Sequence, residues 1–157
     1  MDESRLTDEF LKIEKELPLF TPVNSDLTHY EGWILGPAGS PYEGKFFKVS
    51  IRLPPDFPFV PPQIKFLTKI WHPNINPETG EICNDILKIS GEGEFTWSPG
   101  SDIVSVIMNI IGMLGGNFNF NSPLNPEATQ EFRKSKKNFE KKAREWAQKY
   151  GMDYPTI

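Results

Sequence analysis

The hydrophobic pattern of the chain begins as a helix. Leu6, Phe10, Ile13 and Leu17 recur three or four positions apart and form one apolar stripe. Pro18 closes the run, because a ring without an N–H cannot continue the helix. The remaining positions are rich in acid, and Asp2, Glu3, Asp8, Glu9, Glu14 and Glu16 read as a solvated face. From about His29 to Leu67 the period becomes two. Phe47, Val49, Ile51 and Leu53 point to one side, while Phe46, Lys48, Ser50 and Arg52 point to the other, as in an antiparallel strand with one buried face. The turn-forming segment Gly36 to Pro41 precedes it. Pro54, Pro55 and the proline-rich stretch Pro58 to Pro62 bound the next strand, Gln63 to Leu67, since proline cannot donate to a central ladder.

Between Thr68 and Gly100 nothing is periodic, and a loop of that length inside a folded domain is usually functional. The run Ile103 to Leu114 is apolar on nearly every side. Its β-branched residues suit a strand, but its length favours a buried helix, capped by Ser101 or Asp102 and stopped at Gly115-Gly116. Asn125-Pro126-Glu127 has the form of cap, first-turn proline and first-turn acid. Phe139, Ala143, Trp146 and Tyr150 repeat the helical stripe, with Gly151 as its stop and the neighbouring lysines as a solvated face. The order predicts one α+β domain over residues 1–157: an N-terminal helix, a four-stranded antiparallel meander sheet, a long active-site loop, a central buried helix and two C-terminal helices.

Composition narrows the function classes. A net charge of −4 argues against an electrostatic nucleic-acid binder, which usually presents a basic domain. No stretch approaches the roughly 18 apolar residues of a membrane span, so no membrane insertion is expected. The polar start Met1 to Arg5 lacks the apolar core of a signal peptide. The single cysteine, Cys83, cannot form an internal disulfide, which suits a reducing compartment, and we expect a cytoplasmic protein, with the nucleus also open to it. One cysteine and two histidines fall short of a four-ligand zinc site, so no metal is expected.

The aperiodic loop carries the candidate chemistry. It contains His72-Pro73-Asn74, then Cys83 nine positions after Asn74 and Asp85 two positions after the cysteine. A cysteine in a turn-rich segment is by itself more often an inert small side chain than a nucleophile. Further motifs run along the chain: Gly36-Pro37, Ser40-Pro41-Tyr42-Glu43-Gly44 with Phe46-Phe47, Asp56-Phe57-Pro58-Phe59-Val60-Pro61-Pro62, Trp97-Ser98-Pro99, Ala143-Arg144-Glu145-Trp146 and Lys149-Tyr150. Together and in this order they resemble the ubiquitin-conjugating enzymes.

That resemblance implies a thiol-to-amine acyl transfer. An activating enzyme would hand ubiquitin, or a ubiquitin-like protein, to Cys83 as a thioester, and a lysine of a protein substrate would then attack it. A ubiquitin ligase of RING or HECT type would usually assist. ATP is consumed on the activating enzyme, so no cofactor is implied, and no Gly-rich phosphate loop is present. By the same resemblance Asn74 stabilises the oxyanion, although an asparagine in a turn can equally brace backbone groups. His72 reads as structural. Asp85 would orient the incoming amine, and Ser122 occupies the position that assists the attacking lysine, with positioning its expected role. Phe59, Pro99, Gly100 and Arg5 match ligase-contacting positions. Trp33 and Ser50 lie on the open sheet face, where relatives bind a second ubiquitin without a covalent bond. Trp33 is anomalous there: either it is an anchor, or its ring lies under the stems of Lys48 and Arg52.

The sequence departs from the family in three places. The segment Lys88 to Thr96 is longer than in short members, Asn84 follows the cysteine where leucine is common, and the first helix is acidic where activating enzymes usually meet a basic face. Two rival readings remain. A catalytically dead variant acting as a binding module would typically lack the cysteine. A papain-like thiol protease needs a histidine base, and His29 and His72 belong to no protease motif.

Overall fold

The computed structural model describes residues 2–82, 97–118 and 123–156. Helix α1 spans Glu3–Glu16 and is opened by Asp2, whose carboxylate accepts the Ser4 N–H at 2.9 Å. Its stripe is the predicted one: Ile13 and Leu17 are in the core, with Leu6 and Phe10 packed against them. The acidic remainder is not uniformly solvated. Glu9 is only 1% exposed, because it points toward the start of a later helix and accepts a backbone N–H there.

Four strands follow, β1 (Thr21–Val23), β2 (Asp26–Leu35), β3 (Phe46–Arg52) and β4 (Gln63–Phe66), paired antiparallel in chain order. One face carries Tyr30, Ile34, Phe47, Val49, Ile51, Ile64 and Phe66, all buried, as the alternation predicts. The apolar run after the long loop is helix α2 (Ile103–Leu114), and Asp102 is its cap, accepting the Ser105 N–H at 2.7 Å. Ile103, Val106, Ile107, Ile110, Met113 and Leu114 are buried while Met108 is exposed, so one broad side of α2 faces the core.

Helices α3 (Pro126–Lys134) and α4 (Lys136–Tyr150) complete the domain. Asn125 caps α3 through the Ala128 N–H, with Pro126 in the first turn. Gly151 ends α4, but with φ −69° rather than in the left-handed conformation that terminal glycines often supply. It is glycine for lack of room: an added Cβ would lie 2.6 Å from the Ala147 carbonyl oxygen and 2.9 Å from Lys45 Cβ. The predicted architecture, α+β with a four-stranded meander and helices around it, is the one observed.

From Thr68 to Ile82 the loop forms a sequence of turns fastened to the edge strand. Asn76 Oδ1 accepts the N–H groups of Glu78 and Thr79, and the Asn76 N–H donates to the Glu81 carbonyl at 2.9 Å. The Phe66 N–H of β4 donates to the Gly80 carbonyl at 2.9 Å, and Lys65 and Ile75 make single antiparallel bridges to Glu81 and Ile82. Only glycine fits position 80. Its φ is +79°, and a Cβ would stand 1.9 Å from the Phe66 carbonyl oxygen. Gly80→Ala should therefore destabilise the domain by about 2 kcal/mol, with both strain and the lost β4 contact contributing. Urea denaturation measures the loss. A stability equal to that of the parent would show that the pinning of Gly80 to β4 contributes nothing.

Candidate active site

Residues Trp71 to Ile75 are all buried, although they form no helix or strand. A buried segment of that kind must find partners for its polar groups outside a regular ladder. The Trp71 carbonyl accepts the Tyr42 hydroxyl at 2.5 Å, and the Trp71 indole N–H donates to Glu131 at 2.7 Å. His72 takes two partners at once. Its Nδ1 accepts the Asn74 backbone N–H at 3.0 Å, so the proton sits on Nε2, which donates to the Met113 carbonyl at 3.0 Å near the end of α2. The ring also meets Phe118 edge-on, with centroids 4.7 Å apart. Burial draws the His72 pKa down to about 4, only partly opposed by the bond to Met113. A neutral imidazole with both nitrogens engaged cannot serve as a base near pH 7. The structural reading of His72 is correct.

The Pro73 carbonyl accepts two N–H groups, from Leu124 and Asn125, each at 3.1 Å. This ties the segment that enters α3 to the turn holding Asn74. Asn74 itself is wholly buried. Cys83, Asp85 and Ser122 lie outside the described residues. The chain reaches Cys83 directly from Ile82, which is bridged to Ile75, one residue after Asn74. Sequence reasoning did not find Tyr42, Met113 or Gly80 as supports of this turn. Each acts across a long stretch of chain, and only Gly80 leaves a local mark.

The residues expected to meet a ligase divide into two kinds. Phe59 is 73% exposed, a large apolar side chain held out into solvent, and Pro99 and Gly100 are exposed nearby in sequence to Trp97. Arg5, also expected at the ligase surface, is tied into the fold. Its guanidinium is bonded to the carbonyls of Pro99 and Ser101 and to Glu9, and the side chain keeps 21% of its surface exposed.

The open sheet face also departs from expectation. Ser50 lies on it, opposite Glu31 and Lys65, yet is only 4% exposed, because a short side chain sits below its long cross-strand neighbours. It offers a partner almost no surface. Trp33 is half-buried. Its indole N–H donates to the Thr156 carbonyl at 3.2 Å, and the Lys48 ammonium lies 5.8 Å from the ring, with Lys48 also 3.4 Å from Glu31. The terminal segment reaches this face through paired backbone bonds between Phe46 and Met152 and the ion pair of Lys45 with Asp153. The ring therefore borders Lys48 and the terminal segment, a neighbour that was not foreseen, and stays partly exposed.

The His72 shift fixes a pH dependence. The unfolded imidazole takes up a proton near pH 6.5, whereas the folded one resists until about pH 4. The unfolded state thus binds more protons throughout that window, so stability is complete above it and falls as pH drops through it, by up to about 3 kcal/mol. Urea denaturation between pH 7 and 4 should show this slope. His72→Gln should be less stable at pH 7 and lose the His72 share of the slope. A variant profile parallel to the parent's would contradict a buried neutral His72.

Comparison with known proteins agrees with this arrangement. The family model described as ubiquitin-conjugating enzyme matches residues 5–147. The chain superimposes on the E2 domain of a Toxoplasma gondii ubiquitin conjugating enzyme with a TM-score of 0.83 and 35% identity, covering 96% of this chain and 99% of that one. A Plasmodium yoelii crystal structure carrying the same assignment gives a TM-score of 0.81 and 35% identity, over 95% of this chain and 94% of that one. The family match spans most of the sequence, and the buried His72-Pro73-Asn74 turn leads into the lone cysteine: the chain belongs to the ubiquitin-conjugating enzymes.

Proposed function

We propose that this chain carries ubiquitin, or a ubiquitin-like protein, as a thioester on Cys83 and passes it to a lysine amine of a protein substrate, usually with a RING or HECT ligase. The observation that carries this reading is the rigid His72-Pro73-Asn74 turn, fastened to α2, to β4 through the following hairpin, and to the entry of α3, directly ahead of the only thiol. In the transfer step the lysine nitrogen forms a bond to the thioester carbonyl carbon. The C–S bond then breaks, Cys83 leaves as thiolate and the amine proton passes to solvent or a nearby base. A lysine amine has a reference pKa near 10.4, so it must reach the carbonyl deprotonated. In this reading Asp85 orients the amine and Ser122 positions it, a serine being a poor base near neutral pH.

Asn74 takes two roles in sequence. In the resting chain it is part of the buried turn, and in the transfer step its side-chain donors face the developing oxyanion. The activating enzyme and ATP drive loading, whereas discharge depends on this chain's own groups.

Two measurements test the reading. Incubation with activating enzyme, ATP and ubiquitin should give a band one ubiquitin heavier that disappears with reductant. Cys83→Ser should convert it to a reductant-resistant ester, because an oxyester survives thiol exchange. A reductant-sensitive adduct in Cys83→Ala would sink the assignment. For Asn74, replacement by Ala should slow discharge to lysine by about 10²-fold while loading changes much less. Equal loss of both steps together with a lowered Tm would leave Asn74 as a brace alone.

A further inference from the structure

Arg5 lies in the first turn of α1, yet its side chain binds a loop far along the chain. Nη1 donates to the Pro99 carbonyl at 2.7 Å and Nη2 to the Ser101 carbonyl at 2.6 Å, while Nε lies 3.2 Å from Glu9 Oε1. The guanidinium carbon stands 5.3 Å from the centroid of the Phe57 ring. Each of the three guanidinium nitrogens has a partner, and one face lies over the Phe57 ring. Glu9 completes the arrangement: its second oxygen accepts the Ile103 N–H at 3.1 Å, a donor that the first turn of α2 leaves without a helical partner. The pair thus joins a buried Glu9 to a partly exposed Arg5, and its further hydrogen bonds reach the segment 99–103.

The two segments that Arg5 touches lie on either side of the expected ligase contacts. Phe57 leads into Phe59 and packs on Trp97 with ring centroids 5.6 Å apart, and the Trp97 indole N–H returns to the Pro58 carbonyl at 2.8 Å. Pro99 and Gly100 form the other half, and the Pro99 carbonyl is directly held. We propose that Arg5 is a positioning residue for ligase docking: with Glu9 fixing its plane, it holds the Phe57–Phe59 segment and the Pro99–Ser101 segment in the relation that a ligase must find already formed. The inference rests on the function proposed above. Lysine could keep the charge and the pair with Glu9, but a single ammonium cannot span two carbonyls and a carboxylate in one plane.

Pre-formed loops lower the ordering cost of association, so loosening them should appear as weaker docking rather than as slower chemistry. The test uses single-turnover discharge of ubiquitin from the pre-loaded chain, titrated with an isolated RING domain chosen from a panel because it accelerates discharge of the parent. Arg5→Lys should raise the apparent KM for that domain about tenfold, with kcat at saturating RING within about twofold. In a double-mutant cycle, Arg5→Lys and Pro99→Ala should be non-additive. NMR spectra of the free variant should show the amide signals of Ser98 to Ser101 and Phe59 moved and those around Trp33 unmoved. Glu9→Gln, which keeps the shape but removes the charge, should raise the apparent KM in the same direction and decides the matter if Arg5→Lys fails to fold. An unchanged apparent KM, or an equal fall in ligase-free discharge, would overturn the proposal. A parent chain that does not load, or that no RING domain stimulates, would refute the underlying functional reading and the proposal with it. A parent that loads and responds leaves the Arg5 result to stand alone.

Discussion

The site depends on one constraint: a segment that lies in the core without a ladder of its own must still pair its polar backbone. Trp71 to Ile75 meet it with partners from every side. The Tyr42 hydroxyl comes from the turn before β3, the Met113 carbonyl from the end of α2, and two N–H groups from the entry to α3. An unpaired group buried there would cost on the order of 1–3 kcal/mol, so each tie is held firmly. The consequence is geometric. A turn fixed from three directions cannot shift without disturbing the sheet edge, α2 and α3 together.

His72 shows how such a turn is supported. A histidine in an active-site motif invites a role as base, but here both nitrogens are engaged and burial keeps the ring neutral. Its contribution is to set where Asn74 sits. Fixed donors near developing charge accelerate a reaction because little reorganisation is needed when the charge forms. In the transfer proposed above the demand on this chain is placement, and a neutral support meets it better than a titrating one.

The fold was legible where periodicity is local. The stripe Leu6, Phe10, Ile13, Leu17, the alternation Phe47, Val49, Ile51 and the caps Asp102 and Asn125 all depend on neighbours within a few residues. The candidate site was legible as a short motif, His72-Pro73-Asn74 followed by Cys83, the cysteine lying outside the described residues. What could not be read were pairings between distant positions. Glu9 looks like any acid on an amphipathic helix until Ile103 is placed beside it, and Arg5 looks like a surface cation until Pro99 and Ser101 arrive. Ser50 and Trp33 keep the face that alternation assigns them. Their exposure is decided by Lys65, Lys48 and Thr156, which the strand period does not encode.

The pairing of Arg5 with Glu9 also bears on how α1 presents itself. Glu9 is buried and paired with a partly exposed Arg5, so the two offset one charge of each sign. What remains exposed is Asp2, Glu3, Asp8, Glu14 and Glu16 against Lys12 and Lys15, and Lys12 lies 3.6 Å from Asp102. The outer side of the helix is acidic because its acids outnumber its lysines, and the Arg5–Glu9 pair, one charge of each sign, leaves that balance unchanged. Charges on an exposed face act mainly on the rate of any encounter and on its salt dependence, whereas an exposed ring such as Phe59 offers apolar area. The two properties reside on adjoining surfaces, α1 and the Phe59 loop, and the Arg5–Glu9 pair lies beneath their boundary. The Arg5–Glu9 pair therefore bears on the shape of the loop surface, while the sign of the α1 surface is set by the exposed acids.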